Sequence, residues 1–266
     1  MVAEFAQSLV DGEAPEDVPV LHLFNGPYVT VGTRRLNVPE GSQRLLVFVS
    51  LRSGRVCRRQ AAGTLWPIGD EGRAAGNLRS SLWRLNRLGE PLLIADGTGL
   101  RAREDLLIDM HTVNAWASRL IAGRATRADL SIAPRNLDAL ELLPGWYDDW
   151  ALIERERLRQ RLLHALEAQS RQLVLAGLFA EAIEAAMIAV SAEPLRESAQ
   201  RSLIEAHLAE GNLVEARRVF DAYAVLVARE LHARPTPELQ TLVRPPAPTH
   251  PPRHTGTVAL RALPVT

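Results

Sequence analysis

Residues 73–87 place arginine, asparagine and serine on one side of a helical pattern and leucines on the other. Leu78, Leu82 and Leu85 follow i, i+4, i+7 spacing, which gives a narrow apolar stripe. Arginine can fork onto guanine or a phosphate, asparagine can pair with adenine, and serine permits close approach. The pattern therefore predicts a recognition helix that binds nucleic acid. A solvated charged face is the alternative interpretation of the same pattern.

The polar residues of this segment and its neighbours receive different predicted roles. Asn77 and Arg84 are predicted to read bases because they lie opposite the leucine stripe, with Ser80 and Ser81 lining the approach. A second set is predicted to hold phosphates: Arg73, Arg79 and Arg87 in the helix, Arg58 and Arg59 at the start of an earlier helix, Arg44 near the first helix start, and Arg101 and Arg103 in a hairpin.

Charge is segregated along the chain, although the 266 residues carry a formal net charge of zero. Residues 41–103 contain 11 arginines and 4 acidic residues, a net charge of +7, whereas residues 104–240 contain 15 arginines and 21 acidic residues, a net charge of −6. All 31 basic residues are arginine, so position is more informative than residue type. The basic block predicts a polyanion-binding module.

The elements expected around this helix have the order of a winged helix with an N-terminal sheet. Three short antiparallel strands are predicted over 20–38, helices over 43–52, 58–65 and 73–87, and then a hairpin whose tip is Asp96-Gly97-Thr98-Gly99. We assign residues 20–108 to this winged-helix DNA-binding domain and residues 1–19 to a flexible acidic tail. The acid at the hairpin tip argues against a strong contact between the tip and DNA, so Arg101 and Arg103 are preferred there.

The second half is predicted to be all-helical over residues 109–242, with helices over 111–121, 136–143 and 148–176. Gly177-Leu-Phe-Ala-Glu-Ala182 recurs as Gly211-Asn-Leu-Val-Glu-Ala216 after 34 residues, the period of a tetratricopeptide array. The full consensus is absent, so a plain helical bundle is the alternative. Residues 243–266 are predicted to be a proline-rich disordered tail.

Other classes of function find little support in the sequence. No 18-residue apolar run could span a membrane, a lone Cys57 excludes an internal disulfide, and the histidines form no close metal-ligand pair in the folded region. Asp148-Asp149 fits a helix start better than an acid/base pair, and Cys57 fits a small core or boundary residue better than a redox centre. We therefore expect no enzyme activity, no cofactor, no metal and a cytoplasmic location, nucleoid-associated when bound to DNA.

Specific segments resemble the SARP family, the actinobacterial antibiotic-regulatory transcription activators. In the first half these are Gln43-Arg44-Leu45-Leu46, Leu65-Trp66-Pro67, Ala75-Gly-Asn-Leu-Arg79 and Leu82-Trp-Arg-Leu85 with Asp109; in the second half they are Leu142-Leu-Pro-Gly-Trp146, Glu193-Pro-Leu-Arg-Glu197 and Pro235-Thr-Pro-Glu-Leu239. The resemblance covers residues 20–242. It implies a response-regulator-type winged helix and a bacterial transcriptional activation domain built on tetratricopeptide-like helices. Larger members add an ATPase module, for which this lysine-free chain has no Walker loop.

Two functions of different classes follow. The first is a DNA-binding transcription activator that, as the resemblance implies, binds repeated promoter sites and recruits RNA polymerase, singly or as a homodimer or paired copies on DNA. The alternative is a protein-binding adaptor whose winged helix no longer binds DNA. The zero net charge, the acidic hairpin tip and the degenerate repeat motivate this alternative, whereas Asn77, Arg84 and Arg87 on a common face favour the activator.

Overall fold

A computed structural model describes residues 2–11, 18–52, 54–97, 99–134, 137 and 141–244 of the chain. The strands of this part are β1 Pro19–His22, β2 Tyr28–Val31, β3 Arg34–Leu36, β4 Leu93–Ala95, β5 Leu100–Ala102 and β6 Leu107–Ile108. The helices are α1 Val2–Asp11, α2 Glu40–Ser50, α3 Arg58–Leu65, α4 Glu71–Asn86, α5 Asp109–Ile121, α6 Arg127–Leu130, α7 Asp149–Leu175, α8 Phe179–Ala192, α9 Glu197–Glu210, α10 Leu213–Leu231 and α11 Pro237–Leu242. This order confirms a winged helix followed by a helical domain.

The N-terminal sheet has the strand order β3-β2-β1-β6. The three predicted strands pair antiparallel, with Val20 opposite Thr30 and Val29 opposite Leu36. The two-residue strand β6 then pairs parallel to β1, with Leu21 opposite Ile108. The chain thus returns to the first strand after the hairpin, which holds the sheet, the winged helix and the start of α5 together.

Helix α1 stands where a flexible acidic tail was predicted, so that prediction is wrong for residues 2–11. Phe5, Leu9 and Val10 are buried, and the Phe5 ring meets the fully buried ring of Trp116 in α5 edge-on, with centroids 5.1 Å apart. The acidic residues of this segment suggested a tail. Its apolar residues nevertheless form one side of an amphipathic helix, and they pack against α5, which is distant in sequence. Residues 12–17 lie outside the described part.

Helices α2, α3 and α4 with the β4–β5 hairpin form the winged helix. The bounds of α3 match the prediction, and α4 begins two residues before the predicted start because Asp70 caps it, its carboxylate accepting from the backbone N–H of Arg73 at 2.7 Å. The predicted leucine stripe of α4 is buried. The hairpin pairs Leu93 with Ala102 and Ala95 with Leu100.

The helical half contains two antiparallel helix pairs, α7 with α8 and α9 with α10, as the 34-residue repeat predicted. Their turns lie at Gly177 and Gly211, whose positive φ values of 75° and 89° favour glycine. Ala182 and Ala216 are fully buried, which lets the paired helices approach closely. Of the helix predicted over 136–143, residues 136 and 138–140 lie outside the described part, and Leu142 forms a β-bridge with Phe24 instead. The predicted tail lies outside it from residue 245 onward.

One continuous core joins the two halves. The ring of Phe48 in α2 meets Trp150 in α7 edge-on at 5.3 Å, and the backbone N–H of Leu143 donates to Leu23 O at 3.0 Å. The buried Asp109 carboxylate at the start of α5 accepts from Leu23 N–H at 2.8 Å and also from the N–H groups of Phe24 and Met110. Burial raises the pKa of this carboxyl to about 7. The predicted division at residues 108 and 109 therefore separates two architectures but not two cores.

Candidate nucleic-acid interface

Helix α4 presents a polar and cationic side to solvent and buries the other. Ala74, Leu78, Leu82 and Leu85 are buried, whereas Arg73, Ser80, Trp83 and Arg87 are exposed. At about 100° per residue, Ser80 and Arg87 lie almost opposite the leucines, and Trp83 lies beside them. Trp83 was not among the predicted binding residues, although its helical angle alone indicated an exposed position.

The two predicted base-reading residues lie on a flank of this exposed side. Arg84 is exposed, but one guanidinium nitrogen lies 3.3 Å from the point that a Cβ on Gly41 would occupy, over the first turn of α2. Asn77 is half-buried and, seven residues earlier, shares that flank. The centre of the exposed side is instead occupied by Ser80 and Arg87, so the expectation that Arg84 lies at its middle is corrected.

Ser81 does not line the approach to α4 as predicted. Its side chain is buried, its hydroxyl donates to Gly41 O at 3.1 Å, and its carbonyl accepts from the Ser42 hydroxyl at 3.3 Å. The residue is small because two helices cross closely here, and its hydroxyl satisfies a backbone group of α2. Ser81 is thus part of the contact between α2 and α4, whereas its neighbour Ser80 is exposed.

Four arginines of α4 and its C-terminal cap carry uncompensated charge. Within the described part of the chain, no carboxylate lies within ion-pair distance of Arg73, Arg79, Arg84 or Arg87, and all four side chains are exposed. Arg79 faces α3, where it lines a groove with Arg58 and Arg59. The Arg87 guanidinium lies over the Trp83 ring, 4.8 Å from its centroid. The free positive charge of the basic block is therefore concentrated on α4.

Three other predicted phosphate contacts are held in ion pairs. Arg59 pairs with Glu71, Arg101 with Glu104 at 2.7 Å, and Arg103 with Asp105 and Glu90. The hydrogen bond that Arg103 donates to Asp105 raises the pKa of Arg103, and the one that Arg59 donates to Glu71 raises the pKa of Arg59. These side chains would exchange one anionic partner for another on meeting a phosphate, which lowers their net contribution.

Arg44 has a role that sequence reasoning missed. Its guanidinium pairs with Asp148, the residue at the N-terminal cap of α7, and thus links the winged helix to the helical half. The two residues are 104 positions apart, so no local pattern could indicate the pair. Asp148 therefore competes for Arg44 with the phosphate contact that the sequence predicts.

The acidic tip of the hairpin is neutralised by Arg55, which lies just before α3. The Asp96 carboxylate pairs with Arg55 and accepts from Gly99 N–H at 3.0 Å, and its backbone carbonyl accepts from Arg58 Nε at 2.9 Å. Cys57 caps α3 beside this contact and is exposed, in contrast to the expected core or boundary residue. The N–H groups of Gln60 and Arg59 lower the pKa of its thiol. The negative charge at the tip is therefore compensated within the protein, which the sequence did not indicate.

Two other features are absent from the described ranges. No group of three histidine, cysteine or acidic side chains there is arranged to hold a metal ion. None of the helices in those ranges is both long and apolar enough to cross a bilayer.

Comparison with known proteins connects this geometry to a family. The bacterial transcriptional activator domain family matches residues 135–244. The regulatory protein AfsR of Streptomyces griseus is 27% identical over 223 residues, which cover 79% of this chain and 23% of AfsR. AfsR of Streptomyces coelicolor is 28% identical over 208 residues, covering 74% and 21% of the two chains. The chain thus spans less than a quarter of the length of these curated relatives.

A solved structure supports the fold over both halves. Mycobacterium tuberculosis EmbR, in complex with a low affinity phosphopeptide, superposes with a TM-score of 0.69 and 20% sequence identity, covering 85% of this chain and 64% of EmbR. At that identity the likeness concerns the fold alone. Together with the matched activator domain and the AfsR relatives, it confirms the resemblance found in the sequence. The chain is thus similar to SARP-type transcription regulators over both halves, with a winged helix preceding a segment that matches the bacterial transcriptional activator domain.

Proposed function

We propose that this regulator binds double-stranded DNA in a sequence-specific manner by inserting α4 into the major groove. The observation that carries the proposal is that Arg73, Arg79, Arg84 and Arg87 are exposed along α4 and its C-cap and have no carboxylate partner among the described residues. A helix of this kind fits the major groove, where each base pair presents a distinct pattern of donors and acceptors.

The position of each side chain on α4 supports a division of labour. Ser80 lies at the centre, where its size permits close approach, and Asn77 and Arg84 on the α2 flank are our candidates for base edges. Arg79 and Arg58 line the groove between α3 and α4, so a backbone phosphate is their nearer partner. Arg73, in the first turn of α4, is a further phosphate contact.

The helical half is proposed to act on the transcription machinery. Its segment 104–240 carries a net charge of −6, which would repel a phosphate backbone, so its contacts are proposed to be with RNA polymerase or with a second copy on a repeated site. The helix pairs α7–α8 and α9–α10 give it the stacked architecture that repeat proteins use to bind partners.

The test is selection of DNA from a random duplex pool by the full chain, followed by a salt titration on the selected duplex. Four or five arginine–phosphate contacts predict a slope of log affinity against log salt of about −4. Failure to select any shared motif, or a slope near zero, would contradict the proposal. In reconstituted transcription, activation from a promoter carrying the selected repeats tests the polymerase contact separately.

Base reading by Arg84 is tested against Arg79. Arg84→Ala should lose about 1–3 kcal/mol on the selected duplex and little on random DNA, because a base contact is absent from the random complex. Arg79→Ala, which removes a phosphate contact, should weaken both complexes by similar factors. Equal weakening of both DNAs by Arg84→Ala would show that α4 docks in another orientation.

A protein-binding adaptor is the second candidate, and one observation favours it. The helical half exposes large apolar side chains that are available to a protein partner, with Leu175 87%, Val214 70% and Val225 68% accessible. The acidic hairpin tip was one argument for an adaptor that does not bind DNA. That argument is weakened because Asp96 is neutralised by its ion pair with Arg55. The selection experiment separates the two candidates, because an adaptor would select no motif.

A further inference from the structure

Trp83 is exposed on the side of α4 that would enter the groove. Its residue surface is 60% accessible, whereas Trp116 and Trp150 are 0% and 8% accessible. An indole that stays in water stabilises the fold little, because hydrophobic stabilisation scales with the apolar area removed from water. A large aromatic ring in this position is therefore available for a contact outside the chain.

The neighbouring residues of α4 indicate what kind of surface the Trp83 ring would contact. Gly76 and Ser80 precede Trp83 on the same side of α4, so the N-terminal half of the helix can approach a surface closely. Trp83 is the large apolar side chain that follows these two small residues, and the Arg87 guanidinium covers one face of its ring. Stacking limits the rotation of both side chains and leaves an apolar edge beside a cation.

We propose that Trp83 is a specificity-determining residue that contacts the 5-methyl group of thymine in the major groove. This inference rests on the DNA binding proposed above. The thymine methyl is the apolar group that base pairs display in that groove, and apolar side chains recognise it by contact. The stacked Arg87 is thereby directed to a flanking phosphate, where its charge complements the backbone. A protein partner would find little further apolar surface to cover here, since the exposed neighbours of Trp83 along α4 are polar: Arg79, Ser80, Arg84 and Arg87.

The test replaces each thymine of the selected duplex, one at a time, by deoxyuridine. This exchange removes the methyl group and leaves the base pair and its hydrogen bonds unchanged. At one or two positions the full-length protein should bind roughly three- to fivefold more weakly, the equivalent of burying about one methyl group. Trp83→Ala should bind the thymine duplex more weakly and be indifferent to deoxyuridine at those same positions.

Two control variants test whether the sensitivity to deoxyuridine depends on the aromatic ring at position 83. Trp83→Phe retains an apolar ring and should keep part of the sensitivity to deoxyuridine. Tyr147→Ala removes an exposed aromatic side chain, 81% accessible, from outside α4 and should keep all of it. An effect through the fold would lower the unfolding temperature of Trp83→Ala and would not single out particular thymines.

Several outcomes overturn the inference. It fails if the selected motif lacks thymine, if the wild type is indifferent to every methyl group, or if Trp83→Ala keeps the same sensitivity. It also fails if Trp83→Ala binds DNA normally but lowers transcription, which would assign the ring to a protein contact. Selection of no motif at all would refute DNA binding itself, and this inference with it.

Discussion

Replacing Trp150 in α7 by alanine should destabilise the winged helix as well as the helical half. The Trp150 ring meets Phe48 of α2 edge-on at 5.3 Å and Trp146 at 5.9 Å, and Phe48 is fully buried. The substitution therefore opens a cavity between the two architectures. Because one core runs through both, the damage should reach the DNA-binding helices.

The expected magnitude follows from the burial of the ring. Truncating a buried tryptophan to alanine costs about 3–5 kcal/mol, and the aromatic pairs are included in that range. The indole N–H of Trp150 is buried without a hydrogen-bond partner in the described part, so its removal offsets some of the loss. We expect about 3 kcal/mol, which for a chain of this size lowers Tm by about 6–12 °C.

Thermal unfolding of the full chain measures the shift, and hydrogen exchange shows where it acts. A single transition should move as a whole, and exchange of residues 45–49 in α2 should quicken. Trp150→Phe keeps the ring contacts and should retain most of the stability, while the exposed Tyr147→Ala should change little. Two separate transitions, with α2 exchanging as in the wild type, would refute the continuous core.

Three further outcomes are expected. Ser81→Ala should lose about 1 kcal/mol of stability, through its hydrogen bond to Gly41 O, without changing DNA preference; an altered preference in the selection experiment would restore Ser81 to the interface. Arg87→Ala should reduce the salt slope by about 1, whereas Arg103→Ala, already paired with Asp105, should reduce it less, and equal reductions would contradict the distinction between free and paired arginines. The pKa of Asp109 is raised from 3.8 to about 7 in the folded protein, so this carboxyl contributes stability at acid pH. That contribution is lost as the pH rises from about 4 to about 7, which should lower Tm over this range. The Asp109→Asn variant should lack this dependence of Tm on pH.

Local patterns predicted most of the winged helix. The spacing of Leu78, Leu82 and Leu85 indicated the buried side of α4, and the 34-residue repeat indicated the two helix pairs. Each of these patterns lies within one element or one repeat, so the neighbouring residues contain the information. The bounds of α3 could be predicted for the same reason, since Trp66-Pro67 ends it.

Features set by distant partners could not be predicted. Helix α1 depends on Trp116 to cover Phe5, and strand β6 has two residues whose partner strand lies more than 80 positions earlier. The candidate site shows the same limit. The sequence indicated which arginines belong to the basic block, but pairing partners such as Asp148 for Arg44 decide which of them remain available.

The contacts that Asp96 makes with Arg55 and Arg58 affect the entropy cost of binding a DNA duplex. Asp96 is held by Arg55 and Arg58, so the described residues of the tip are already ordered in the free protein. Ordering a free loop on binding costs about 1–2 kcal/mol per residue in backbone entropy. A hairpin fixed in advance avoids that loss, so its encounter with a duplex should be closer to rigid-body docking than to folding upon binding.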